Sequence, residues 1–120
     1  MDREEAYRIL VKAPRFSLDH VGFAGTTPGT VRAFRFLLDD PSSPQVFSRL
    51  LQGSTAGRLY ALVGIYLTDP PRFPQAVQSL EGATDMVETM FGGCVVDECS
   101  VRELARMISS GEIAARLRGE

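Results

Sequence analysis

The chain is short of histidine, cysteine, excess basic charge and long apolar runs, and each shortage removes a class of function. His20 is the only histidine, and Cys94 and Cys99 are the only cysteines. A structural zinc site built on the two thiols needs two further ligands, so no metal is expected. Two cysteines in 120 residues are also too few for a disulfide-dense scaffold. Thirteen basic against fifteen acidic side chains leave a net charge of −2, which argues against nucleic-acid and anionic-membrane binding. The longest apolar stretch, Leu59 to Leu67 with Gly64 inside it, is about half a membrane span. The start, Met1-Asp2-Arg3-Glu4-Glu5, has no apolar core of a signal peptide, so a cytoplasmic location is expected.

What is present is an ordinary globular composition, 44% hydrophobic and 23% charged. It fits a single helical domain over residues 1–120 that can bury about two-thirds of its unfolded surface. The net charge hides an uneven layout. Residues 1–80 balance to +2 and residues 104–120 to +1, whereas residues 81–103 balance to −5. That segment holds Glu81, Asp85, Glu88, Asp97, Glu98 and Glu103 against Arg102 alone. A solvated acidic face is the ordinary meaning of such a cluster.

Helix signals recur along the chain. Asp2 can cap a first helix with Ala6, Ile9, Leu10 and Ala13 on its apolar face, stopped by Pro14. Residues 15–27 read as extended or irregular, yet Phe16, Leu18, Val21 and Phe23 require that the segment be packed down. Thr27-Pro28 starts a second helix to about Asp39, with Val31, Phe34, Leu37 and Leu38 inward and an Arg35–Asp39 pair outside. Ser43-Pro44 starts a third, carrying Val46, Phe47, Leu50 and Leu51 and ending at Gly53.

Ser54 opens a helix to about Thr68 that is apolar all round and therefore belongs in the middle of the fold. Gly57 and Gly64 lie seven residues apart on it, where they allow a close approach by a neighbouring helix. Asp69-Pro70 caps a further helix with Phe73, Val77 and Leu80, ended at Gly82. The pattern then shifts to two β-branched and apolar runs flanking Gly92-Gly93, which predicts a hairpin. A helix over 84–91 is the competing reading. Ser100-Val-Arg-Glu103 is a capping box for a last long helix with Leu104, Ala105, Met107 and Ile108, closed by Gly111. Glu112 to Arg118 add a turn or two. The expected fold is mainly α, a compact bundle of five or six antiparallel helices with one β-hairpin near residues 85–99.

The candidate chemistries are thin. Cys94 or Cys99 with His20 and Asp19, Asp97 or Glu98 supply the residue types of a cysteine hydrolase, but no spacing supports that arrangement. Buried structural cysteines and a loop histidine are the plainer reading. Five residues apart, Cys94 and Cys99 stand about 17 Å apart on a straight strand. On a helix they rise about 7.5 Å and share no face. A disulfide needs a turn through Val95 to Glu98, and two reduced thiols are the preferred reading.

Gly25-Thr-Thr-Pro-Gly29-Thr precedes a helix but lacks the Gly-Lys-Ser/Thr ending of a phosphate loop. Turning the chain and capping a helix is its ordinary job. Tyr60 and Tyr66 read as core residues whose hydroxyls reach a partner at the edge. With Gly92-Gly93 at a two-residue turn, Glu88 would lie opposite Asp97, and like charges across a ladder repel. Such a pair needs a cation or an Arg-rich partner, which marks the segment as a binding surface.

The segments Gly57-Arg-Leu-Tyr-Ala-Leu62, followed by Gly64, and Gly93-Cys94-Val-Val resemble parts of small bacterial helical proteins of no assigned activity. The resemblance covers about half of the chain and carries no site residue over. It implies a helical bacterial protein. The expected function is non-enzymatic, without cofactor: a domain that binds another protein with a basic surface, such as an immunity or antitoxin-like inhibitor. Asp85, Glu88, Asp97, Glu98 and Glu103 are the candidate contact residues. A self-associating scaffold domain and a small enzyme with a cysteine nucleophile are the alternatives.

Overall fold

Three helices of this chain begin where a side chain accepts from backbone amides that have no partner within the helix. In the computed structural model, Asp2 accepts from the Glu5 amide at 2.8 Å and opens α1 (Arg3–Val11). Ser54 accepts from Gly57 at 3.1 Å and opens α4 (Thr55–Thr68). Ser100 accepts from Glu103 at 3.1 Å and opens α6 (Val101–Ser109). The structure describes residues 1–17, 29–80, 85–90 and 97–118, with the backbone alone for Met90, Asp97, Glu98, Arg116 and Arg118. The Thr27-Pro28 start, the Gly25–Pro28 part of the loop, Leu18, Val21, Phe23, His20, Gly82, the Gly92-Gly93 link and Cys94 lie outside these residues.

The remaining described helices are α2 (Gly29–Leu38), α3 (Ser43–Leu50), α5 (Phe73–Gln78) and α7 (Glu112–Arg118). Ser43 is the first residue of α3, and Ser42 takes the cap position without a side-chain cap bond. Asp69 does not cap either. It pairs with Arg72 at 3.5 Å, and the chain runs through a 3-10 turn, Pro70–Arg72, before α5. Gly111 closes α6 at φ +85°, a backbone that side chains other than glycine's rarely accept.

The fold is mainly helical, with a small three-stranded sheet beside the helices. The competing helix over 84–91 is not what forms. β2 (Met86–Met90) and β3 (Asp97–Ser100) run antiparallel. β1 (Phe16–Ser17) joins β2 from the other side in parallel, giving the order β1-β2-β3.

Helix α4 is the centre. It touches α1, α2, α3, α5, α6 and α7, and also β1 and β2. Every residue from Leu59 to Ile65 is buried, as an all-round apolar helix requires. Its two glycines admit different neighbours: the Leu10 carbonyl of α1 lies over Gly57, and the Phe47 ring of α3 lies over Gly64. Phe34 sits between Phe47 and Tyr60, its ring centroid 5.4 Å from the first and 6.0 Å from the second, with the rings tilted.

Two surface expectations change. Arg35 does not pair with Asp39; its Nε donates to the Leu117 carbonyl at 2.8 Å and ties α2 to α7. Met107 lies on the outer side of α6 at 37% exposure, while Val101, Leu104, Ala105 and Ile108 face the core. Arg3 of α1 forks onto both Asp40 oxygens, at 3.2 and 3.1 Å, where the Ser42 amide also donates at 2.8 Å. The Ser42 amide, and after it Arg3, hold the Asp40 carboxyl below the usual carboxylate range.

The outer edge of β1 is closed by a side chain. Along a strand, the N–H and C=O of successive residues face opposite edges. Ser17 turns both groups toward Tyr60, whose hydroxyl accepts from the amide and donates to the carbonyl, each at 2.8 Å. Because the hydroxyl has one proton, Thr30 Oγ1 at 2.9 Å is the donor in its own bond to Tyr60. Burial pushes the Tyr60 pKa up, against the bonds from Thr30 and Ser17 that lower it.

Candidate functional site

The acidic residues picked out in the sequence belong to one continuous piece of structure. Asp85 precedes β2 and is exposed, Glu88 lies on β2, Asp97 and Glu98 lie on β3, and Glu103 is exposed in the first turn of α6. The Val101 amide donates to the Asp85 carbonyl at 3.1 Å. That bond fastens the open end of the hairpin to the start of α6 and brings Asp85 beside the turn that carries Glu103.

The faces of β2 follow from its alternation. Val87 and Thr89 are buried, Met86 is 55% exposed, and Glu88 is half-exposed. The inward row continues onto β3, where Cys99 stands opposite Val87, packs against the core and carries a free thiol. The outward row holds Glu88 and, opposite it, position 98, whereas position 97 falls on the inward row opposite buried Thr89.

The register differs by one from that of a two-residue Gly-Gly turn. Glu88 stands opposite Glu98, and Thr89 opposite Asp97. Two acidic positions therefore still face each other across the ladder, with a different partner for Glu88.

The cation that such a pair calls for comes from the chain itself. Arg15, next to β1, places Nη2 3.3 Å from Glu88 Oε2. The geometry follows from the parallel pairing of Phe16 with Thr89, which puts the preceding residue, Arg15, beside Glu88. Arg15 Nε is buried and has no hydrogen-bond partner among the described residues, where the guanidinium is held through its Nη2 end. The row reads Arg15, Glu88, Glu98 across three adjacent strand positions, one positive and two acidic.

Sequence reasoning missed Arg15 because no local signal marks a two-residue parallel strand. The pair is half-exposed on both sides, and such pairs contribute about 0–1 kcal/mol. Replacing Arg15 with Met should cost no more than that in urea denaturation at physiological salt. The loss should grow at low ionic strength, where the acidic pair is least screened, and shrink in concentrated salt. A salt-independent loss would show that Arg15 acts by packing alone.

The other places where chemistry would be sought offer less. A cleft of about 320 Å³ lies between α3, α4 and α5, lined by Ser48, Leu51, Ile65, Arg72, Gln75, Ala76 and Ser79. Arg72 is its single charged lining residue, and Asp69 takes that charge. Among the described residues no group of three His, Cys, Asp or Glu side chains could hold a metal ion, and no helix is long and apolar enough to cross a membrane. Thr30, the last residue of the glycine-rich loop, spends its hydroxyl on Tyr60. Compared with protein-family models, curated proteins and solved structures, the chain matches none.

Proposed function

We propose that the domain binds another protein, one with a basic surface, through the outer side of the β2–β3 hairpin and the adjoining first turn of α6. The contact residues in this reading are Glu88 and Glu98 on the outer row, with Asp85 and Glu103 beside them; Asp97, expected among them, stands at the inward position opposite buried Thr89. The observation that carries it is the cross-strand pairing of Glu88 with Glu98, with Arg15 paired to Glu88. Like charges opposite each other on a ladder oppose folding, so their presence is explained by a role outside folding. A basic partner completes the neutralisation that Arg15 begins, and complementary charge speeds encounter and selects the partner.

Within this class the reading is an immunity or antitoxin-like inhibitor of a basic toxin. The direct test is to cross-link the domain to partners in cells of its source and titrate the purified pair with salt. Affinity should fall steeply with ionic strength, and the captured protein should be basic at the cross-linked face. An affinity unchanged between low and high salt contradicts the proposal.

Self-association is the second reading, and Met86 favours it: 55% exposed, it lies on the same outer face as Glu88. Sedimentation over a dilution series separates the two. A dimer that dissociates on Met86→Lys would support self-association, and a monomer throughout would remove it.

A further inference from the structure

We infer that the partner reaches the domain with an extended, basic segment that adds to the free edge of β3 as a fourth strand. The inference rests on the protein-binding reading above and names the form of the partner. Its first support is the parity of the ladder. In an antiparallel pair, positions that exchange hydrogen bonds alternate with positions that do not. The Val101 amide bonds to the Asp85 carbonyl at 3.1 Å, so the bonded positions are 85 with 101, 87 with 99 and 89 with 97. Glu88 with Glu98 and Met86 with Ser100 are the other kind. The amide and carbonyl of Glu98 and the amide of Ser100 therefore face away from β2. Among the described residues no group bonds to them.

The second support is that the two edges are treated differently. At β1, the Tyr60 hydroxyl occupies both the amide and the carbonyl of Ser17, so no strand can add there. At β3, no described residue bonds to the equivalent groups. A sheet with one edge closed by a buried side chain and the other presenting three aligned backbone groups is set up for addition on one side.

Charge then decides what is added. The edge strand reads Asp97-Glu98-Cys99-Ser100, and its neighbour on β2 carries Glu88. Arg15, the cation paired with Glu88, lies beyond β2, on the side away from this edge. A second copy of the chain would bring an identical acidic strand alongside, and repulsion disfavours that pairing. An extended segment with alternating Lys or Arg offers the opposite sign at the spacing a strand requires.

The test uses the whole domain, labelled with 15N, and the synthetic peptide Lys-Val-Lys-Val-Lys. Addition to the edge should protect the Glu98 and Ser100 amides from hydrogen exchange. The peptide methylated on alternate backbone nitrogens should bind about tenfold more weakly or worse, because its donors are lost. Glu-Val-Glu-Val-Glu should not bind, and Glu98→Lys, which keeps every backbone group, should reverse that preference. If the methylated peptide binds as well as the parent, or the perturbed residues lie only on the outer face of β2, the edge inference is overturned while the acidic-face reading stands. If no basic peptide binds while capture of a partner stays salt-dependent, the edge inference again falls alone. Salt-independent capture removes the reading beneath it.

Discussion

Removal of one oxygen, by Tyr60→Phe, should lower the unfolding free energy by about 2–4 kcal/mol, a large share of a small domain's stability. The ring loses nothing: it stays packed on Phe16, with centroids 4.8 Å apart, and on Phe34. What changes is the set of groups left without a partner. Ser17 is 2% exposed, so water cannot replace the hydroxyl at its amide or its carbonyl. Thr30 is partly exposed and can turn to solvent. The expected loss is therefore that of two orphaned backbone groups, each costing about 1–3 kcal/mol, less what relaxation recovers.

The same hydroxyl sets an alkaline limit. Burial raises the Tyr60 pKa in the folded state above its ordinary value of 10.0. The folded protein thus keeps a proton that the unfolded chain gives up. Stability from this source is complete below about pH 10 and is lost as pH rises through the folded-state pKa. Tyr60→Phe should be less stable than the parent at neutral pH and should show a shallower further decline above about pH 10. Urea denaturation at neutral and alkaline pH checks both. Parallel curves would assign the alkaline loss to other groups.

The second large effect is expected from one added methyl group. Gly57→Ala should destabilise the domain by about 1–3 kcal/mol, although alanine is the better helix former by about 0.5–1 kcal/mol. The sign is decided by what the new Cβ would meet. It would sit 2.5 Å from the Leu10 carbonyl oxygen, which is backbone of α1 and cannot step aside without parting α1 from α4. Gly64→Ala should behave similarly, because the Phe47 ring in its way is fully buried against Phe34. Gly29→Ala is the control. No described residue lies within 4 Å of a Cβ there, so the substitution should be neutral or slightly stabilising. Thermal melts of the three variants test the ordering, and a stabilised Gly57→Ala would contradict the close approach of α1.

What could be read from the sequence was what local chemistry decides. Asp2, Ser54 and Ser100 were legible as helix starts because an N-cap needs only a short side chain and an amide three residues on. The burial of Leu59 to Ile65 was legible because a helix apolar on all sides has no solvent face to offer. Asp69-Pro70 carries the same signal as the true caps, yet Arg72 claims the carboxylate and a 3-10 turn forms instead.

Long-range pairing was not legible. β1 has two residues and no period, so neither its parallel pairing with β2 nor the placing of Arg15 beside Glu88 leaves a trace in composition. The hairpin's two runs could be seen, but register depends on the length of the connection, and a slip of one exchanged Asp97 for Glu98 opposite Glu88. The outer row stays acidic through that change because Glu98 takes the place opposite Glu88, while Asp97 moves to the inward position opposite Thr89. Arg15 alters its meaning: part of the charge is balanced within the chain, and what remains for a partner is smaller than the sum suggests.

The central claim is that a partner docks on the acidic side of the hairpin, and charge reversal tests it most directly. The domain carrying Glu88→Lys and Glu98→Lys should keep its fold by circular dichroism and lose about tenfold or more in affinity for the captured partner. Reversal of Glu4 and Glu5, exposed on α1, should leave that affinity within about twofold, since rim charges remote from an interface contribute little. Equal losses from both pairs, or no loss from the hairpin pair, would contradict it.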